Sequence, residues 1–321
     1  MRKWLALLLV GMVVLTAGCV GSNEKASTGT TTELPTVRAA TLMGGISTLD
    51  IMEAKGFDRE NGFRVQVLRL GKTPDIIAAL AKGETDFAVI PAEMAAKLAQ
   101  RGTEIEIVAV DMMQNQAILG KKMKPEDLRG KKIGAVVASG TFKLFQAYMK
   151  VLYNLTPDDY TVVNVPPGSI KDSLNDVDAV VIWEPIVSEL IASNVSVIAT
   201  FEDLWNEAED RDIVEGEPVM LVWVVRKDFA DEHPDLVKAF VKAQKKSAKF
   251  WEENEDETKE ILGKLYHLDA KTLDILYDRV EVNDDELDDD LIEGIKSEWR
   301  LAYLGGYLEK DPSKLDIFYR G

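Results

Sequence analysis

The side chains that most often carry nucleophilic or metal chemistry are scarce in this chain of 321 residues. It contains one cysteine, Cys19, and two histidines, His233 and His267. A single cysteine rules out a disulfide within the chain, and a zinc site of the usual Cys/His composition is nearly excluded. His233 is interpreted as a helix-entry residue, because Pro234 follows it. We therefore predict no metal site, no cofactor and no catalytic nucleophile.

Residues that could bind a small molecule stand where a predicted strand ends and a helix begins. Helix N-termini offer free N–H groups and a positive dipole, and ligands of open α/β sheets bind beyond the carboxyl ends of the strands. Glycine permits close approach by the backbone, tryptophan supplies an aromatic plane, and glutamate supplies a carboxylate. The predicted ligand-binding residues are Gly44, Gly45, Ile46, Ser47, Thr73, Pro91, Glu93, Ser139, Gly140, Thr141, Trp183 and Glu184.

Several of these candidates also have other interpretations. Thr73 could be only a helix N-cap, and Trp183 could be buried core. Glu184 could be a first-turn acid that favours the helix dipole. Glu93 and Glu184 could also form the acid–base pair of an enzyme.

The elements that position the candidates alternate along the chain from Thr36. Apolar runs predict strands at 37–42, 63–70, 86–90, 105–110, 131–137, 161–165, 178–183 and 218–225. Single helices separate most of these strands, and four more helices are predicted at 234–253, 256–265, 270–279 and 285–304. This alternation predicts βαβ units and a largely parallel sheet. The segment 86–93 resembles the segment 178–185, which suggests two lobes built alike.

The first residues have the composition of a secretion signal. A basic start, an apolar run and the sequence Ala17-Gly18-Cys19 predict a signal peptide at 1–18 and lipid attachment on Cys19. The apolar run is shorter than the ~20 residues that span a bilayer, although an uncleaved membrane anchor is the alternative. Residues 19–35 are small and polar and predict a flexible tether. We expect a protein anchored by lipid to the outer face of the cytoplasmic membrane.

The bulk composition limits the partners of the chain. The formal net charge is −17 at pH 7, and so acidic a surface repels nucleic acid. The hydrophobic content of 46% and charged content of 29% are typical of a soluble globular chain with one large or two medium cores. We expect a monomer that binds a small molecule and no nucleic acid.

Four regions resemble a known family. They are 71–88, 126–134, 177–185 and 234–240 with 251–254, in that order. Together they resemble the nitrate/sulfonate/taurine and thiamine-pyrimidine-precursor group of binding proteins for ABC importers, over residues 36–255. The resemblance implies an α/β, two-lobed periplasmic-binding-protein fold of type II-like form, with two mixed, mostly parallel sheets and a ligand cleft between the lobes. It also implies an ABC permease and ATPase as partners.

The same resemblance implies lobe boundaries and a function. Lobe 1 is expected at 36–121 plus 222–321 with the C-terminal helices, and lobe 2 at 122–221. The expected function is to bind a small organic solute or oxyanion, such as a sulfonate, nitrate or pyrimidine-like molecule, for an ABC importer. The alternatives are an enzyme on the same fold, similar to the menaquinone-pathway dehydratases, and a surface sensor without a transporter.

The candidate residues favour one ligand class at this level. No arginine falls at a predicted junction, and arginine is the usual bidentate partner of an oxyanion. A tryptophan with two carboxylates suits a planar heterocycle that carries N–H groups, because the ring can stack while the carboxylates accept. The sequence therefore predicts a heterocyclic or amine-bearing metabolite over a simple anion.

Overall fold

The computed structural model describes residues 33–321, and Leu34–Gly321 form one compact unit. The predicted signal peptide, Cys19 and most of the predicted tether lie outside the described residues. Within residues 33–321, no helix is long and apolar enough to cross a membrane.

The described strands form two five-stranded sheets. The strands are β1 (Thr36–Leu42), β2 (Arg64–Leu70), β3 (Phe87–Pro91), β4 (Ile105–Met113), β5 (Ala117–Gly120), β6 (Lys132–Ala135), β7 (Thr161–Asn164), β8 (Ala179–Ile182), β9 (Ser196–Thr200) and β10 (Val219–Arg226). The first sheet has the order β2-β1-β3-β10-β4, and the second has the order β7-β6-β8-β5-β9.

Helices connect and cover these strands. The α-helices are α1 (Thr48–Lys55), α2 (Phe57–Glu60), α3 (Thr73–Ala81), α4 (Ala92–Gln100), α5 (Gly140–Tyr153), α6 (Ile170–Ser173), α7 (Ile186–Ala192), α8 (Phe201–Glu209), α9 (Lys227–Glu232), α10 (Pro234–Glu253), α11 (Glu255–Tyr266), α12 (Ala270–Arg279) and α13 (Asp289–Gly305). Short 3₁₀ turns occur at Pro125–Leu128 and Pro167–Ser169.

Both sheets are mixed, with one reversed strand each. In the first sheet β10 runs antiparallel to β3 and β4, and in the second β5 runs antiparallel to β8 and β9. The other pairings are parallel. In the first sheet β1 pairs with β2 and with β3, and in the second sheet β6 pairs with β7 and with β8. Two mixed sheets with mostly co-directional strands confirm the predicted fold class.

The chain passes between the sheets twice, and each reversed strand follows a crossing. The first crossing lies between β4 and β5, and the second between β9 and β10. The predicted end of the first segment of lobe 1 at residue 121 places β5 in that lobe, whereas β5 pairs with β8 in the second sheet. The short β5 segment, Ala-Ile-Leu-Gly, has no strand pattern of its own, and only this pairing reveals which sheet it joins.

The two segments that resemble each other occupy equivalent places. The Asp86 carboxylate accepts a hydrogen bond from the backbone N–H of Arg38 at 2.9 Å, where β1 runs beside β3. The Asp178 carboxylate accepts one from the N–H of Lys132 at 3.0 Å, where β6 runs beside β8. Each aspartate thus satisfies a backbone donor of the neighbouring parallel strand, and each strand leads into a helix at the same end of its sheet.

The last long helix contacts both halves of the molecule. Trp299 on α13 donates its indole N–H to the carbonyl of Ala92 at the start of α4, at 2.8 Å. Leu301, on the same helix, belongs to the apolar core of the second sheet. Gly305 packs directly on Ala147 of α5, where a larger side chain would collide with the Ala147 backbone. α13 therefore connects the start of α4 to α5.

Candidate functional site

A small cavity lies where the carboxyl ends of strands from both sheets meet. Its apolar walls come from Leu42, Ile46, Ile76, Val89, Pro91, Met112, Met220 and Leu221, and its remaining lining from Thr41, Gly45, Thr73, Asn115, Ser139, Gly140, Thr141, Trp183 and Glu184. The space open to the centre of a water-sized sphere is ≈ 50 Å³. This is room for a few water molecules or for a compact ligand.

The structure brings most of the predicted site residues together. Gly45, Ile46, Thr73, Pro91, Ser139, Gly140, Thr141, Trp183 and Glu184 line the cavity. Gly44, Ser47 and Glu93 do not. Gly44 forms the turn after β1 with a positive φ of 78°, and Ser47 is the buried N-cap residue of α1. The ligand role of all twelve residues stays a prediction.

Two helix N-termini point their first turns at the cavity from opposite sheets. Ser139 caps α5: its hydroxyl accepts from the N–H of Phe142 at 3.1 Å and donates to the Val136 carbonyl at 2.7 Å. The N–H groups of Gly140 and Thr141 lie in the first turn, where no helical acceptor is available to them. On the other side, the N-cap of α3 is Lys72, and Thr73 is the first helical residue, with no side-chain capping bond. The prediction that Thr73 is the N-cap is therefore wrong by one position.

Trp183 adds a further donor. Its side chain lines the cavity and is 6% exposed. The indole Nε1 is buried and has no hydrogen-bond partner among the described residues. A buried N–H without an acceptor costs about 1–3 kcal/mol, so a ligand oxygen at this position would be favoured.

Glu184, by contrast, is already paired. Its Oε1 accepts from the Nε of Arg279 at 2.8 Å, and its Oε2 accepts from the N–H of Ser188 at 3.0 Å. Burial raises the pKa of the Glu184 carboxyl, and the Arg279 guanidinium opposes that rise. Arg279 also donates to the Asn115 carbonyl at 3.1 Å. Sequence reasoning missed Arg279, because it lies at the end of α12 and not at a strand-to-helix junction.

Glu93 lies behind the cavity wall, on α4. It is 1% exposed and lies beside Glu298 of α13, which is fully buried. Burial raises the pKa of Glu93, and burial together with the neighbouring Glu93 raises the pKa of Glu298 well above its ordinary value. Glu298 was not predicted, since it lies in a helix with no sequence signal beyond its amphipathic pattern.

A buried polar cluster supports the turn that forms one wall. The Tyr266 hydroxyl lies 2.8 Å from the Gly45 carbonyl and 2.7 Å from the Asp50 carboxylate, and it donates to this pair of acceptors. Asp111 accepts from the Trp223 indole N–H at 2.8 Å and from the Thr48 hydroxyl. Burial raises the pKa of Asp111 to about 6 despite these donors. Because none of these side chains lines the cavity, we interpret them as groups that hold the 44–47 turn in place.

Over residues 33–321, no group of three or more His, Cys, Asp or Glu side chains could hold a metal ion.

The fold and the cavity between two mixed sheets define the class of two-lobed binding proteins. The chain belongs to the NMT1/THI5 like family, whose model matches residues 49–258. This agrees with the resemblance found in the sequence.

Two relatives and one solved structure specify the likeness. The chain is 31% identical over 195 residues to the taurine-binding periplasmic protein of Escherichia coli, covering 58% of this chain but only 57% of that relative. It is 27% identical over 314 residues, 91% of this chain and 87% of the relative, to a Bacillus subtilis protein named for binding aliphatic sulfonates. The alkanesulfonate-binding protein of Xanthomonas axonopodis pv. citri, bound to MOPS, shares the fold with a TM-score of 0.70. It is 17% identical and covers 87% of this chain and 96% of its own.

Proposed function

We propose that this protein is the extracytoplasmic solute-binding component of an ABC importer and that its ligand is a small organosulfonate. One relative is named as a taurine-binding periplasmic protein and the other for binding aliphatic sulfonates, which supports the solute-binding role. The finer assignment of the ligand comes from the polarity of the cavity. Attachment to the membrane through lipid on Cys19 is part of the proposal and depends on the sequence alone.

One observation carries the ligand assignment: the cavity presents free donors, whereas its carboxylate acceptor is occupied. The donors are the first-turn amides of α5, the Thr73 hydroxyl and the unpartnered indole N–H of Trp183. Glu184 is held by Arg279 and by the Ser188 amide. Donors on the residues that line a small cavity suit an oxyanion, since helix N-termini bind anions through their N–H groups and dipole.

These contacts favour an anion over the heterocycle that the sequence suggested. The heterocycle hypothesis needs two acceptor carboxylates, but Glu93 lies outside the cavity lining and Glu184 has its own partners. The structure does bring Arg279 to Glu184, but this guanidinium is held by that carboxylate and does not line the cavity, so the donors to an anion would be amide, hydroxyl and indole groups. The apolar walls and the small volume favour a compact sulfonate with a short alkyl group. We therefore expect ethanesulfonate to bind more tightly than taurine, whose ammonium group would lack a free carboxylate.

Trp183→Phe tests the donor, because phenylalanine keeps a smaller aromatic ring and lacks the indole N–H. A hydrogen bond to a charged group contributes about 1.5–3 kcal/mol, so ethanesulfonate affinity should fall by about 10- to 150-fold. Calorimetry on the purified protein would measure this, with nitrate, taurine, pyrimidines and flavin precursors in the same panel.

Trp183→Leu is the matched second variant. If the ring only stacks, Trp183→Phe should bind almost as well as the wild type and Trp183→Leu should not. If the N–H is the contact, both variants should lose affinity to a similar extent. Tight binding of a pyrimidine with no binding of any sulfonate would contradict the ligand assignment. Chemical conversion of a bound ligand during prolonged incubation would instead support the enzyme alternative.

A further inference from the structure

We infer that Glu93 and Glu298 form a pair that holds a proton behind the cavity wall, and that this pair takes up a proton when an anion binds in the cavity. The inference deepens the proposed function and rests on its premise that the ligand is an anion. According to this inference, the two glutamates influence which ligand charge the cavity prefers, although neither glutamate contacts the ligand.

The pair is enclosed and incompletely satisfied. Glu93 is 1% exposed and Glu298 is 0% exposed. Glu93 Oε1 and both carboxyl oxygens of Glu298 are buried and have no partner of good hydrogen-bond geometry among the described residues, although the Gln114 side chain lies close enough to lower the pKa of Glu298. The two side chains lie within hydrogen-bonding reach of each other. Because ionised carboxylates only accept, a bond between them requires that one carries a proton.

The N-terminus of α5 connects this pair to the cavity. Gly140 sits so close to α4 that a Cβ atom there would collide with Glu93 Oε1 and would lie 2.7 Å from Pro91 Cγ. Gly140 and Pro91 also line the cavity. The first turn of α5 therefore faces the Glu93 carboxyl and the ligand space together. A negative charge in either place competes for the same positive helix end.

The other polar groups around the pair do not cancel the effect of burial: the Gln114 side chain and the Glu93 backbone lower the pKa of Glu298, yet it stays well above its ordinary value. Tyr148 of α5 donates its hydroxyl to Gln114 at 2.8 Å, and burial keeps its pKa well above the ordinary value. Tyr307, after α13, likewise has a raised pKa, through burial and the charge of Glu93. Lys97 of α4 directs its Nζ to the Tyr307 carbonyl, 2.9 Å away. Within residues 33–321, neither glutamate forms a salt bridge with a lysine or arginine.

The arrangement of these charges determines whether anion binding takes up or releases a proton. The pair binds protons more tightly than free glutamate, and an anion placed across the first turn of α5 raises that affinity further. Binding therefore takes up a proton wherever the unliganded pair is still partly ionised, above the ordinary glutamate range. Affinity should rise as the pH falls and decrease by up to about tenfold per pH unit within this window.

Calorimetric titration of the full chain with ethanesulfonate tests the inference, since a sulfonate stays ionised and cannot itself supply the titration. The titration is run from about pH 5 to pH 8 in two buffers that differ in ionisation enthalpy and are not sulfonates. We expect a buffer-dependent enthalpy that reports uptake of a fraction of a proton up to one, together with weaker binding at high pH. Binding that is independent of pH and buffer would overturn the inference and leave the proposed function intact. No binding at any pH would overturn the proposed function.

Variants locate the proton. The double variant Glu93→Gln/Glu298→Gln should bind with little pH dependence, and at pH 8 at least as tightly as the wild type. Glu253→Gln, on the exposed end of α10, is the control and should behave like the wild type. If the double variant keeps the proton uptake of the wild type, the proton goes elsewhere and the assignment is wrong. Thermal unfolding shows whether the double variant folds, and if it does not, the wild-type proton count decides alone.

Discussion

At the scale of single residues, the most informative contact is the ion pair between Glu184 and Arg279. Arg279 is 19% exposed at its side chain, whereas that of Glu184 is completely buried. Removing one partner of a buried pair leaves an uncompensated charge, which is far costlier than losing an exposed pair. The pair also links the end of α12 to the start of α7. Its loss would therefore weaken the packing of these helices around both sheets.

Arg279→Ala should therefore lower the free energy of unfolding by about 3 kcal/mol near neutral pH. The loss should shrink as the pH falls, because Glu184 can then take up a proton and no longer buries a charge. Urea denaturation at several pH values measures both effects. Arg320→Ala is the matched control: its pair with Asp316 is mostly exposed, and we expect a change below about 1 kcal/mol. Equal effects of the two variants would show that the Glu184 pair has no special role.

At the scale of elements, the contact between α5 and the start of α4 determines how closely the two sheets approach. Gly140 is required there because Pro91 leaves no space for a side chain. Gly140 also lies in the cavity wall. We therefore expect the cavity to close when α5 packs against the start of α4. Two-lobed proteins commonly hinge around their ligand, and this contact is where we expect closure to end.

Gly140→Ala should hold the site partly open. A Cβ atom 2.7–2.8 Å from the Pro91 ring must displace it, and overpacking of this kind costs about 1–3 kcal/mol, which corresponds to a loss of affinity of about 5- to 150-fold. Small-angle scattering should show that ligand reduces the radius of gyration of the wild type more than that of the variant. Gly168→Ala is the control, because a Cβ there meets nothing within 4 Å. A wild-type radius that ligand leaves unchanged at saturation would argue against closure.

At the scale of the whole molecule, the compact unit and the N-terminal residues contribute to different parts of the proposed function. Leu34–Gly321 contain both sheets and the cavity, whereas the predicted secretion signal and Cys19 precede them. Anchoring through a tether would raise the concentration of the binding unit near a membrane transporter without any added contact.

Cys19→Ala should abolish lipid attachment and move the protein out of the membrane fraction, or leave it unprocessed. Ligand affinity should stay the same, because the cavity is built from residues 41–221. Mass spectrometry of the mature N-terminus and fractionation of cells give the two measurements. An unmodified thiol on a fully soluble wild-type protein would contradict the anchor.

The sequence alone identified the local features of this protein. Strand and helix patterns depend on neighbouring residues, so the alternation from Thr36 and the helix start at 139–141 were predictable. The order of the family segments predicted the two-lobed fold, and the strand-to-helix junctions predicted most residues of the cavity lining. β5 and β9 were not predicted, and their pairing with each other in the second sheet became visible only in the structure.

Only the tertiary structure determined how the site is charged. Arg279 contacts a residue 95 positions earlier, and Glu298 of α13 lies beside Glu93 of α4. No local pattern encodes such pairs, because they depend on where the C-terminal helices fold back onto the two sheets. These contacts occupy Glu184 and withdraw Glu93 from the cavity lining. They are the reason why the proposed ligand is an anion and not the heterocycle that the residues alone suggested, since the state of a buried carboxylate is set by its partners in space.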